Sequence, residues 1–212
     1  MRNRGPILTL GIIGVLIIGI LTANALVGSD KDSNKTGATS SKATVAATTT
    51  TTAAPVESGF PAQVDYSGYA GDSIALNITV TGTKATAYAC DGNSVESWLR
   101  GPAENGKLNL TSKSGDKLTG QLNGTTVTGT LTIGGRSWDF SANQTEPPAG
   151  MYRYNDNGYR YSWVYRNSTD NTGVVRAPDG STSPAPPLDE NQNFYIEGRQ
   201  VHAEKVNGDD AG

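Results

Sequence analysis

Few residues in this chain are equipped for chemistry, and their number already narrows it. There is one cysteine, Cys90, and one histidine, His202, in 212 residues. A structural zinc site asks for four nitrogen or sulfur ligands, and a Cys/His nucleophilic pair must be built in close proximity. No metal centre and no cofactor is therefore expected, and a single cysteine forms no intramolecular disulfide. His202 comes with no Gly-x-Ser-x-Gly turn to hold an activated serine, and the acidic residues are scattered over turns. The chain reads as a non-enzyme.

The densest set of polar and aromatic groups is the stretch Tyr88-Ala-Cys-Asp-Gly-Asn-Ser-Val-Glu-Ser-Trp-Leu-Arg100. Asp91-Gly92 signals a turn, after which Val95 and Leu99 share one strand parity while Glu96, Trp98 and Arg100 share the other. Both faces cannot be the core of a half-buried strand. Either a bulge intervenes, or the polar pair Glu96 and Arg100 lies beside Trp98 at a barrel mouth, where ligand sites commonly occur. Asp91, Glu96, Trp98 and Arg100 are the candidate binding residues on this reading. The plainer alternative packs Trp98 and leaves the charges in water. Pairing Glu96 with Asp91 or Asp139 as two hydrolytic carboxylates is the catalytic alternative, a wall-acting hydrolase.

A second set lies in Met151 to Arg166, where Asn157-Gly158 marks a hairpin. Tyr152, Tyr154, Tyr159, Tyr161, Trp163 and Tyr165 fall on one side, either as a stacking platform for sugar rings or as an inward face. Arg153, Arg160 and Arg166 fall on the other. If the aromatics are inward, these arginines form an exposed basic patch suited to anionic wall polymer or lipid headgroups.

These groups need elements to position them. Two-residue turn signals recur between alternating segments from residue 60 onward, and period-two alternation survives the turns. Asn123-Gly124 would pair Leu122 with Thr125, Gly134-Gly135 pairs Leu131 with Trp138, and Gly82-Thr83 sets Ala85, Ala87 and Ala89 on the face of Ile74 to Val80. A last hairpin through Gly198 would align Ile196 with Val201. The expected fold is all-β, an antiparallel meander closing as a barrel or a two-layer sandwich, because an open meander would expose its edges. Pro147-Pro148 interrupts it, with one continuous domain preferred.

The first sixty residues have a different character. Residues 7–27 contain no charge, and as a helix would reach about 31 Å, enough to cross a bilayer. Arg2 and Arg4 precede this segment and Asp30, Lys31 and Asp32 follow it, so residues 1–6 should stay cytoplasmic and the rest be exported. Cleavage near Ala25 with release of a secreted protein is the alternative. Residues 28–60 are Ser/Thr/Ala-rich and read as a disordered linker of about 30 Å end to end, ahead of an extracytoplasmic β domain over 61–206 and a disordered tail over 207–212. Net charge is −3, from 17 basic and 20 acidic residues. With Arg2 and Arg4 set apart, no basic stripe remains for nucleic acid.

The stretch YACDGNSVESWLRG, the Leu/Gly/Thr meander to Trp138, and the segments PPAGMYRY and APDGS together resemble a group of membrane-anchored exported proteins of actinobacteria. The resemblance spans about two thirds of the chain and consists of turns and strand residues. It implies a cell-envelope setting and brings no activity and no site residues. The expected function is binding of an envelope component, wall polymer or protein, at the membrane surface without catalysis. A structural assembly factor of the envelope is a further alternative.

Overall fold

A computed structural model describes residues 59–207. The helix expected over 7–27, nearly all of the linker and the tail beyond 207 lie outside the described residues. Among the described residues there is no helix, hence none long and apolar enough to cross a membrane. From Gln63 the chain forms eight strands in succession: β1 (Gln63–Ala70), β2 (Ile74–Thr81), β3 (Lys84–Cys90), β4 (Glu96–Glu104), β5 (Lys107–Thr111), β6 (Lys117–Asn123), β7 (Thr126–Ile133) and β8 (Arg136–Thr145). Each pairs antiparallel with the next, and β8 returns to β1 to close a barrel.

The turns set this register. Asn105 and Gly106 both adopt positive φ, as a type I′ turn requires, and they join Glu104 to Lys107 across the β4–β5 hairpin. Gly82-Thr83 and Gly134-Gly135 give the expected partners, Val80 with Ala85 and Leu131 with Trp138. The β6–β7 hairpin differs from expectation by two residues: Leu122 faces Val127, not Thr125, and the turn residues are Gly124-Thr125. The observed register sets Leu122 against Val127 and Leu118 against Leu131, whereas the other would set Leu118 and Leu122 against a glycine and a threonine. The side-chain amide of Asn123 then donates to Thr128 Oγ1 at 3.0 Å.

Inward residues fill the barrel, among them Leu76, Ile78, Leu99, Leu110, Leu118 and Leu131, all fully buried. Eight tilted strands enclose just enough room for such side chains. Close approach between strands is allowed by glycine. Gly120 and Gly129 face each other across β6–β7, and a Cβ on Gly129 would come within 1.9 Å of the Thr119 carbonyl oxygen. Phe140, opposite Gly129, covers the space that a side chain on Gly120 would take.

After the cis Pro147-Pro148 peptide the chain builds a second sheet. It contains β9 (Gly150–Asp156), β10 (Tyr159–Asn167), β11 (Asp170–Arg176), β12 (Thr182–Pro184) and, after a separate hairpin of β13 (Asn193–Ile196) and β14 (Arg199–His202), the short β15 (Glu204–Lys205). The strand order is β12-β11-β10-β9-β15. The hairpin turn is Glu197-Gly198, both at positive φ, so Ile196 faces Arg199 and Phe194 faces Val201, again two residues from the expected alignment.

This sheet covers the outside of the barrel at β2 and β3. Met151, Val164, Val174 and Val206 pack on Ala75, Tyr88 and Cys90. Every residue of β2 except Thr81 is buried for that reason. By contrast the outer faces of β6 to β8 are polar, all threonine on β7, with cross-strand bonds such as Thr126 to Asn143 and Thr132 to Ser137. The opposite face of the second sheet is sealed by the β13–β14 hairpin, where Phe194 touches Tyr154, Tyr161 and Trp163.

Gly129→Ala is expected to lower the unfolding free energy by about 3 kcal/mol, because the added methyl meets backbone. Gly134→Ala, which meets nothing within 4 Å, should lose only about 1 kcal/mol from its positive φ. Denaturant titration of both variants checks the contrast.

Candidate functional site

Arg160 of β10 and Arg176 of β11 stand directly opposite one another, an arrangement that like charges oppose. Glu96 of β4 resolves it. Its Oε2 accepts from Arg160 Nη2 at 3.1 Å and from Arg176 Nε at 2.8 Å. Trp98 Nε1 donates to Oε1 at 3.2 Å. The Glu96 side chain is 1% exposed, so both oxygens are engaged where water hardly reaches. Trp98 in turn lies 4.4 Å from the Tyr88 ring, with the Arg153 guanidinium 4.6 Å from its centroid. Alternate residues of β4 thus point inward, Ser97 and Leu99, and outward into the seam, Glu96 and Trp98.

The parity conflict of the sequence is thereby resolved. No bulge is involved, since β4 keeps a single register with β3 and with β5; both faces of β4 are covered here, one by the barrel core and one by the second sheet. Beside this clamp opens a groove of about 490 Å³ lined by Glu96, Ser97, Trp98, Arg100, Thr111, Ser112, Lys113, Ser114 and Arg160. Arg100 and Lys113 are exposed, and Arg100 joins no ion pair among the described residues. Arg160 has its Nε buried without a hydrogen-bond partner.

Under the groove lies Asp116. Its Oδ2 accepts from Ser97 at 2.6 Å, Ser112 at 3.0 Å and Ser114 at 3.1 Å, and its Oδ1 accepts from the Gly134 amide at 3.2 Å. Burial pushes this carboxyl upward, but the donors of Ser97, Gly134, Ser112 and Ser114 outweigh it and hold the group below the ordinary aspartate value. The three serines are therefore oriented toward the protein, and Arg100, Lys113 and Arg160 are the cations that line the groove.

Of the four binding residues expected from sequence, Glu96, Trp98 and Arg100 line this groove, and Asp91 does not. Asp91 Oδ1 accepts the amides of Asn93, Ser94 and Val95 at 2.8, 2.8 and 2.9 Å, so it organises the β3–β4 loop. Cys90 is buried, its thiol pushed up to about 12 by desolvation, which removes thiolate reactivity. His202 is exposed, with Nδ1 3.1 Å from Asn193 Oδ1. No group of three or more His, Cys, Asp or Glu side chains suited to a metal ion occurs among the described residues.

The aromatic row is no open platform. Tyr152, Trp163 and Tyr165 are buried under the hairpin and Leu188, and Trp163 Nε1 donates to the Pro186 carbonyl at 2.9 Å. The arginines on the other side do not form an exposed basic patch either, because that side faces the barrel. Arg153 lies on Trp98, Arg160 on Glu96, and Arg166 binds both oxygens of Asp170 and the Gly68 carbonyl while covering Tyr69. Lys205 makes a parallel link across the seam to Asp65 at 2.9 Å.

Lys113, Asp116 and Arg176 are site residues that sequence reasoning missed. The first had a signal: the Asn105-Gly106 turn, extended along the hairpin, sets Arg100 against Thr111 and so brings the 112–114 loop beside β4. Arg176 had none, since its approach to Glu96 depends on how two sheets meet.

Glu96→Gln leaves two guanidinium groups facing each other, and should cost about 2 kcal/mol of stability, reduced from a fully buried case because both arginines are partly hydrated. Amide exchange in β10 and β11 should quicken in that variant. Because the Asp116 carboxyl is depressed in the folded state, its contribution is complete above its unfolded value of about 4 and is lost as pH falls through the folded one. Asp116→Asn should be less stable at pH 7 by about 1–2 kcal/mol. Its stability should also fall less than that of the native chain on acidification below about pH 4; parallel decline of the two would contradict the assignment.

Comparison with family models, with curated proteins and with solved structures found nothing that matches this chain.

Proposed function

We propose that the seam groove is a non-catalytic binding site for an anionic component of the cell envelope, with wall polymer favoured over a protein partner. The observation that carries this reading is the convergence of Arg100, Lys113 and Arg160 on one groove whose nearby carboxylates are already committed. Cations beside neutralised acids attract anions, and low-dielectric walls strengthen the attraction. A hydrolase needs a carboxylate able to exchange a proton with its substrate. Glu96 gives both oxygens to arginine and tryptophan donors, and Asp116 gives its own to serines and an amide, so neither supports turnover.

The envelope setting rests on the sequence. The uncharged segment over 7–27 with arginines ahead of it supports a single-pass anchor with the N-terminus in the cytoplasm. The polar linker would hold the β domain clear of the bilayer.

Titration of the full chain with an oligogalacturonate and with its carboxyl-reduced counterpart tests the reading. Binding of the charged oligosaccharide alone is expected, weakening as salt is added. Arg100→Glu and Lys113→Glu should each reduce affinity about tenfold. Equal binding of the reduced sugar, or indifference to both charge reversals, would refute it.

A further inference from the structure

The outward row of β4 does not end at Arg100. It continues through Pro102 to Glu104, and there a second trough of about 360 Å³ is lined by Thr83, Lys84, Thr86, Arg100, Pro102 and Glu104. Arg100 borders both troughs. Eight residue steps separate Glu96 from Glu104, which at the rise of a strand is about 26 Å. The exposed charges that line the two troughs are Lys113, Arg100 and Lys84, all cationic, with the half-buried Glu104 at the far end and exposed Lys107 directly across the strand pair from it.

The barrel also restricts how a ligand is held here. β4 is paired on one side with β3 and on the other with β5, so it offers no free edge for an added peptide strand. The ring of Trp98 is already in contact with Tyr88 and Arg153, which disfavours stacking of nucleic-acid bases on it. Recognition falls to spaced side-chain charges, a match for a chain whose acidic groups recur at intervals.

Resting on the anionic-ligand reading above, we propose that the two troughs form one continuous cleft for a linear polyanionic glycan. One acidic group sits at the Arg100 saddle, a neighbour on one side meets Lys113 and Arg160, and a neighbour on the other meets Lys84. Glu104 marks the far end, where its carboxylate accepts a hydrogen bond from a sugar hydroxyl.

A length series of oligogalacturonates, from the disaccharide to the hexasaccharide, titrated calorimetrically into the full chain, tests the cleft. The native protein should gain about tenfold or more in affinity along the series, as linked sites do. Lys84→Glu and Lys84→Ala should abolish most of that gain while leaving disaccharide affinity within about twofold, whereas Lys113→Glu should weaken every length. Length-independent affinity, or a gain that survives both Lys84 variants, overturns the continuous cleft and leaves the single-groove reading standing. Absence of binding at every length overturns that reading as well. Polyglutamate or single-stranded DNA binding as tightly as the hexasaccharide overturns the assignment to a glycan.

Discussion

Two arginines placed directly across a strand pair repel each other, and the architecture beyond the barrel depends on how that repulsion is relieved. Arg160 and Arg176 occupy such a pair, and the carboxylate between them belongs to the barrel, not to their own sheet. The sheet therefore has an electrostatic reason to sit on β4 in one position. Apolar contacts around Tyr88, Met151, Val164 and Val174 supply area, but area is non-directional. The Glu96 clamp, with Arg166 on Asp170 and the Gly68 carbonyl and Lys205 on Asp65, supplies registry. Once the sheet is seated, its second face still carries a row of tyrosines and Trp163, and the β13–β14 hairpin takes up that burial.

The interior of the barrel is filled with buried side chains. Eight strands drawn together by Gly120 and Gly129 enclose leucine, isoleucine and valine side chains with Phe140 among them, which is a core and not a cavity. The proposed binding groove lies outside it, at the line where the second sheet stops and the serine-rich loop between β5 and β6 begins. Asp116 links the two regions, since its hydrogen bonds fix that loop from beneath while the loop's lysine faces the groove.

Local geometry was legible in the sequence to the extent that turn chemistry controlled it. Gly82-Thr83, Gly134-Gly135 and Asn157-Gly158 marked their hairpins correctly because each centres its turn. Asn123-Gly124 misled, since a neighbouring dipeptide lets leucine face valine and leucine face leucine. The conflict of faces in β4 was a true signal read under too narrow a premise: a strand buried on both sides belongs to a barrel with something laid against it. The arginine row was misplaced for the same reason, because guanidinium groups were assumed to seek water and found Glu96, Asp170 and an indole instead. Contacts between sheets carry no turn or period to announce them, so Arg176 and the groove beside it emerged only from the assembled structure.

The clamp is tested most directly by a double-mutant cycle. Glu96→Gln, Arg176→Gln and the two together would be compared with the native chain by denaturant titration. The account predicts a coupling energy of about 2 kcal/mol, in the range of contacting charged pairs. Additivity to within about 0.4 kcal/mol would mean that Glu96 and Arg176 act independently, and would contradict the role assigned to the pair.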